Sequence, residues 1–478
     1  MLLRTRAFLA AFPFLALGCK LGPDYERPAV PVPEEWRELG PAEQASLANT
    51  PWWELFQDPA LVDLIHTALT ENKDLLIAVE RIEEARAFYG FQRADLFPKV
   101  NAQASVSRVG ASDESLFPSG TETVYSAAGT VFWELDFFGR IRRATEAELA
   151  LVYAAEQSRR AVVLTLVSDV ARAYVELREL DQSLAISQRT LESRREYVGL
   201  ARDRFEGGLT SELDLRQAEA EQHRTESLVH DFERQVVQKE NELSSLLGRN
   251  PGPIVRGRAL GEITVPGAVP SGLPSELLER RPDVLQAEEE LVSANARIGE
   301  AKALLWPTIA LTGAYGYEST DLDKLFDASA RSWSIAGNLL QPIFNAGQNR
   351  RRVDVSESQQ RQALYSYERS VLLAFREVED SLVGLRQSTL KLGAEGARVT
   401  AERQVLDLAE MRYRGGVADY LEVLDAQREL FDAELSEASA RREELVFFIQ
   451  LYKALGGGWT PEETDTAHAS DTTDRTEG

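Results

Sequence analysis

Apolar positions along this chain follow two periods, one helical and one extended. From Val417 to Tyr452, the residues Val417, Leu421, Leu424, Arg428, Phe431, Leu435, Ala438, Arg442, Leu445, Ile449 and Tyr452 alternate steps of four and three. Nine of the eleven are apolar, which predicts a helix with a heptad seam. Upstream, two offset seams overlap: Val163, Val167, Val170, Tyr174, Leu177, and Leu166, Val170, Ala173, Leu177, Leu180, Leu184. A helix with two seams packs on a neighbour at each side, as a ring of helices requires and as a solid bundle also permits. Elsewhere the period falls to two. After Pro98, Val100, Ala102, Ala104 and Val106 alternate with Asn101, Gln103, Ser105 and Ser107, predicting a strand with one apolar face. Tyr125, Val131 and Trp133 share a face on the return, as do Ile309, Leu311, Tyr315 and Tyr317, and then Trp333, Ile335 and Leu339. Polar segments at 110–120 and 318–330 separate the strands of each pair.

The two kinds of element occur twice. Arg204-Phe-Glu-Gly-Gly-Leu-Thr-Ser-Glu-Leu-Asp-Leu-Arg-Gln-Ala218 matches Arg412-Tyr-Arg-Gly-Gly-Val-Ala-Asp-Tyr-Leu-Glu-Val-Leu-Asp-Ala426 at an offset of 208. Asp74 to Pro98 matches Asp283 to Pro307 at 209, each ending where proline cannot continue a helix. Helices are predicted at about 60–96 and 283–305, 140–205 and 347–413, and 211–247 and 419–455. Gly207-Gly208 and Gly415-Gly416 form the breaks. The long members reach roughly 100 Å at 1.5 Å per residue. The implied layout is an extended segment at 19–59, one repeat at 60–248, a Pro/Gly-rich linker at 249–281 with a short strand around Val255, a second repeat at 282–456, and a disordered tail at 457–478.

Four short strands cannot close a membrane barrel alone, and an open edge in lipid leaves backbone groups unpaired. Strands that cross a membrane here would have to be shared between chains. The bland alternative is a pair of soluble hairpins capping a helical bundle.

Composition narrows the chemistry. The chain has 478 residues and a net charge of −24, which excludes a global footprint for nucleic acid. One cysteine and four histidines exclude internal disulfides and a Cys-rich zinc site. His223 and His230 share a helical face, but two ligands make a weak metal site. No phosphate loop, dinucleotide fingerprint or assembled nucleophile occurs, so no enzyme is expected. Residues 1–18 read as a signal peptide: Arg4 and Arg6 precede an apolar stretch too short to span a bilayer. Leu15-Ala-Leu-Gly-Cys19 is similar to a lipoprotein box, which makes Cys19 the expected lipidation site and Lys20 an outer-membrane sorting residue. An ordinary signal peptide with an incidental cysteine is the alternative.

Cys19-Lys-Leu-Gly-Pro-Asp-Tyr-Glu-Arg-Pro28, Pro51-Trp-Trp-Glu-Leu-Phe-Gln-Asp-Pro59 and Arg280-Arg-Pro-Asp-Val284 together resemble the lipoprotein branch of the TolC-like outer-membrane factors. The resemblance implies a mostly α fold with a membrane β-barrel. Three chains would build a 12-stranded barrel through the outer membrane and a 12-helix barrel across the periplasm. Its implied role is the gated exit duct of a tripartite efflux system, with a periplasmic adaptor and an inner-membrane transporter of the resistance-nodulation-division class as partners. It implies no cofactor beyond a covalent lipid on Cys19. A lipid-anchored periplasmic coiled-coil scaffold or adaptor is the alternative function.

A duct needs closure, and the resemblance places the gate at the second Gly-Gly turn. Tyr413, Leu421, Glu422 and Asp425 fall on the matching positions, with Asp214 as the partner in the first repeat. Under threefold symmetry Asp425 and Glu422 would form carboxylate rings that favour bound cations, and Leu421 an apolar constriction. Tyr413, Arg428, Asp214 and Arg216 would link neighbouring helices, although Ala418 stands where some members carry a linking arginine. Arg428 interrupts an apolar seam and so requires a partner carboxylate. Charges simply solvated beside a turn would give the same pattern.

Overall fold

A computed structural model describes residues 20–33, 36–37, 58–111, 120–265, 272 and 274–457. The signal peptide, Cys19, the Trp52-Trp53 stretch and nearly all of the tail lie outside the described residues. In chain order the main elements are α1 (Pro59–Glu71), α2 (Lys73–Ala94), β1 (Lys99–Ala111), β2 (Gly120–Leu135), α3 (Arg140–Glu206), α4 (Glu212–Leu246), α5 (Pro282–Ala303), β3 (Thr308–Ser319), β4 (Arg331–Leu340), α6 (Gln348–Arg414) and α7 (Tyr420–Ala454). Corresponding helices of the two repeats have equal lengths: 22 residues for α2 and α5, 67 for α3 and α6, and 35 for α4 and α7.

Compactness cuts across the repeats. One unit comprises Met1–Ala29, Glu80–Glu156 and Gln286–Arg369, and the other Val30–Val79, Gln157–Leu285 and Ser370–Gly478. The long helices belong to both, so each unit draws on both halves of the sequence.

The first unit holds the strands. They form one antiparallel sheet in the order β1-β2-β3-β4, and its register carries the sequence alternation across all four strands. Val100 pairs with Val131 and Val106 with Tyr125; Trp133 pairs with Leu311; Tyr315 pairs with Trp333 and Ile309 with Leu339. Directly paired residues share a face of the pleat, so one face is almost continuously apolar. The other face carries Asn101, Gln103, Ser105 and Ser126, the last two joined hydroxyl to hydroxyl at 2.8 Å. Among the described residues β1 and β4 have no strand on their outer sides. No helix among the described residues is long and apolar enough to cross a membrane.

In the second unit the predicted helix at 60–96 is two helices. Asn72 leaves helical geometry (φ −60°, ψ 130°); its Oδ1 accepts from the Leu75 amide at 3.0 Å and its Nδ2 donates to the Leu246 carbonyl at 2.8 Å. Asparagine competes with the helix ladder in this way and caps the next helix instead. Arg281, at the corresponding place in the second repeat, donates to the Ala454 carbonyl at 3.1 Å. In each repeat, then, a polar side chain takes a carbonyl from the last turn of the final helix, where such carbonyls lack intrahelical partners. Asp58 seats α1: it accepts from the Ala60 amide at 3.0 Å, the Tyr174 hydroxyl at 2.8 Å and the Arg258 amide at 2.9 Å. The strand expected around Val255 is absent. Val255 is exposed, and the segment is held by side chains instead, with Arg256 between Asp181 and Glu240 and the Gly257 amide on the Tyr174 hydroxyl.

Candidate functional site

Both Gly-Gly breaks end a 67-residue helix by the same backbone device. At the first, Leu209 N donates to Arg204 O at 2.8 Å and Gly208 N to Phe205 O at 2.9 Å; at the second, Val417 N donates to Arg412 O at 3.0 Å and Gly416 N to Tyr413 O at 3.1 Å. This is the Schellman pattern. It needs a left-handed residue, supplied by Gly208 (φ 71°) and Gly416 (φ 73°) without the local backbone strain a side chain would add.

The turns share one apolar cluster. Val198 and Ala201 of α3, Leu215 and Ala218 of α4, Ala409 and Tyr413 of α6, and Tyr420, Val423, Leu424 and Ala426 of α7 pack together. The Tyr420 ring lies 5.9 Å from that of Tyr413 and 6.3 Å from that of Tyr197. Burial pushes the Tyr420 hydroxyl up to about 12, so it stays neutral at physiological pH. The Arg204 guanidinium sits 4.6 Å over the Tyr413 ring, a cation–π contact. Along the α7 seam Leu424, Phe431, Ala438, Leu445, Ile449 and Tyr452 are buried and Arg428, Leu435 and Arg442 half-buried, whereas Leu421 and, ahead of the helix, Val417 are exposed.

Charges form a network on this cluster. Arg428 pairs with Glu221 of α4, and Glu221 is also held by Arg194 of α3. Arg428 lies 3.6 Å from Asp425 as well. One buried carboxylate thus joins three helices. Burial acts to raise the Glu221 carboxyl, but the hydrogen bonds from Arg428 and Arg194 outweigh it and hold the group below its ordinary value. Glu422 pairs with Arg412 across the second turn at 2.9 Å, and the Tyr197 hydroxyl donates to Glu410 at 2.5 Å.

Two expected links do not join helices within the chain. Arg216 pairs with Glu212 at 3.1 Å and Glu219 at 2.8 Å on its own helix, because carboxylates at i−4 and i+3 are nearer than any on a neighbour. Asp214 accepts from Thr210 in the adjoining turn. Glu221, Arg194, Tyr197, Glu410, Arg412 and Tyr420 were missed from sequence. Glu221 alone left a signal there: it falls in the buried series Leu215, Ala218, Glu221, Thr225 and Val229, a carboxylate where the seam calls for an apolar residue. His223 and His230 each contact a carboxylate three residues on, at 3.2 and 3.0 Å. Among the described residues no group of three or more His, Cys, Asp or Glu is placed to hold a metal ion.

A family described as outer membrane efflux protein matches residues 64–249 and again 273–457. The chain belongs to the outer membrane efflux protein family. Relatives agree along nearly the whole length of this efflux protein. It is 38% identical to the solvent efflux pump outer membrane protein SrpC of Pseudomonas putida, over 95% of this chain and 98% of SrpC. It is 36% identical to the cation efflux system protein CusC of Escherichia coli O6:H1, over 92% of this chain and 96% of CusC. The open state of the MtrE outer membrane channel of Neisseria gonorrhoeae superposes with a TM-score of 0.83 at 33% identity, covering 92% of this chain and 98% of MtrE. The protein is therefore an outer-membrane efflux channel and not an enzyme. Its fold is mostly helical with barrel-forming strands, and a scaffold or adaptor role is not favoured. As an efflux channel it is the outer-membrane part of a tripartite system, whose other parts are an adaptor and an inner-membrane pump.

Proposed function

We propose that three copies of this chain close a 12-stranded barrel and a helical duct whose far end is gated at the second Gly-Gly turn. One observation carries the trimer: among the described residues, a sheet of four strands has an apolar face and both outer edges unpaired. Lipid does not tolerate such edges, and single-chain barrels begin at eight strands. Three copies satisfy every strand and leave a pore, whereas two copies supply eight strands, whose interior fills with side chains.

At the turns, Leu421 and Asp425 are exposed one helical turn apart on α7. This supports an apolar constriction above a ring of Asp425 carboxylates, with Glu422 beside it, where cations would gather. The duct stays shut while Arg428 is tied to Glu221 and Tyr413 is packed in the cluster. Asp214 and Arg216 stiffen the first turn rather than bridging to the second. The pump partner is a proton-driven transporter of the resistance-nodulation-division class, reached through the adaptor, and Cys19 carries the lipid. The inner-membrane pump selects the cargo.

Heat-modifiable trimer bands and single-channel conductance in planar bilayers test the reading. A monomer without conductance refutes the duct. Asp425→Ala should abolish block by divalent cations while leaving assembly intact, and unchanged block would remove the carboxylate ring from the gate.

A further inference from the structure

A cleft of about 420 Å³ opens in the strand-bearing unit where helix gives way to strand. Leu21, Leu305 and Trp306 supply its apolar lining, Lys302 and Arg350 two cations, and Asp354 and Glu357 two carboxylates. Trp306 lies just ahead of β3, and Arg350 is in the first turn of α6, so the cleft sits at the helix-side rim of the membrane sheet. That rim is apolar toward its surroundings: Ile343 is 94% and Phe344 89% exposed. Bilayer headgroups lie at this depth when the strands span the apolar core.

The N-terminal segment is fixed beside the cleft. The fully buried Arg143 donates to the carbonyls of Leu21 at 3.0 Å and Gly22 at 3.3 Å, and to Asp24 at 2.8 Å. Gly22 (φ 93°) lies so close to Gly299 that a Cβ on it would come within 2.4 Å of the Gly299 Cα. Leu21, two positions after Cys19 in the sequence, lines the cleft itself.

The charges indicate the occupant. The Arg350 guanidinium makes no hydrogen bond or ion pair with any described residue, Lys302 stands 3.4 Å from Glu357, and Asp354 accepts from Arg351 at 2.9 Å. An acyl chain alone would leave Arg350 without a counter-charge, and a purely anionic headgroup would face two carboxylates. A headgroup with one phosphate and one ammonium matches both signs.

We propose that this cleft binds a phosphatidylethanolamine-type phospholipid, its phosphate on Arg350 and Lys302, its ammonium on Asp354 and Glu357, and its chains along Leu305 and Trp306. The assignment rests on the membrane placement of the strands and not on the gate. The Phe138 ring, stacked on Trp306 at 5.2 Å, sets the angle of the indole wall.

Native mass spectrometry of the full-length detergent-released protein tests this with phosphatidylethanolamine and phosphatidylglycerol offered together. Wild type should retain phosphatidylethanolamine. Arg350→Gln with Lys302→Gln should lower retention about a hundredfold, as expected for losing two charge-assisted contacts at about tenfold each. Asp354→Asn with Glu357→Gln should turn the preference toward phosphatidylglycerol. Equal retention of the two lipids by wild type, or variants that bind as wild type does, overturns the site. Conductance is recorded on each preparation: a variant that loses lipid but still conducts supports the site without touching the duct reading. If the double cation variant fails to conduct, Arg350→Lys decides, because it keeps the cation and must keep the lipid. The adduct must also survive in Cys19→Ser; its loss there would give the cleft to the covalent anchor and overturn the proposal.

Discussion

The turn at Gly207-Gly208 and the turn at Gly415-Gly416 share a backbone and differ in what pins it. Both have the same pair of Schellman bonds and a glycine near φ 70°. Beyond the turn, Ser211 caps α4 by accepting from the Asp214 amide at 3.3 Å, whereas Asp419 at the same place ahead of α7 makes no side-chain cap bond. The first turn is held by its own residues. The second has the Arg412–Glu422 pair and the Tyr413–Tyr420 contact across it but no cap, and it leans on distant residues as well: Arg428 on Glu221 and Tyr420 on Tyr197. A turn secured by tertiary contacts is released when they break, and a locally capped one is not. In the gate we propose, this difference assigns the moving part to the second repeat.

The largest test is Glu221→Gln, which leaves Arg194 and Arg428 facing each other without a buried counter-charge. Removing one partner of a buried pair costs about 3 kcal/mol. Denaturation should register that loss, and the channel should open in bilayers at voltages where wild type stays shut. Closure unaffected by the substitution would mean that the network is only structural.

Acid is the milder route to the same end. The Glu221 carboxyl titrates below its ordinary 4.5 in the folded state. Its contribution is therefore complete at neutral pH and is lost only as pH falls through that lowered value. Conductance should stay low from pH 7 to pH 5 and rise only once the pH has fallen below the ordinary carboxylate range, a rise that Glu221→Gln should abolish.

Gly208→Ala and Gly416→Ala come next. A Cβ at either position meets no atom within 4 Å, so only the left-handed backbone resists it, at about 1–2 kcal/mol. Near-equal losses of stability would confirm that the two turns are the same in backbone. Opening should follow Gly416→Ala alone. The smallest effect separates the caps: Ser211→Ala should cost about 1 kcal/mol and Asp419→Ala close to nothing. Equal costs for the two would remove the contrast on which the moving turn is assigned.

Much of this molecule was legible in its residues. The Gly-Gly breaks, the proline stops and the period-two segments mark the ends of the long helices to within a residue and set the apolar face of the sheet. Local chemistry decides these features, and it travels with the chain. Arg428 could be flagged as needing an acid because it breaks a seam, but which acid could not be read. Glu221 lies 207 positions away, and only the relative register of α4 and α7 brings the two together. The break at Asn72 escaped for a related reason: α1 and α2 read as one helix until the Asn72 side chain finds the Leu246 carbonyl on α4.

Sequence alone determined the repeat, the lengths of the longest helices and the alternation of the strands, because backbone conformation responds to neighbours a few residues away. Tertiary structure decided which charges meet, which turn lacks a cap of its own and where the N-terminal segment docks. Those outcomes depend on side chains from separate helices arriving at one place, and no local pattern encodes that distance.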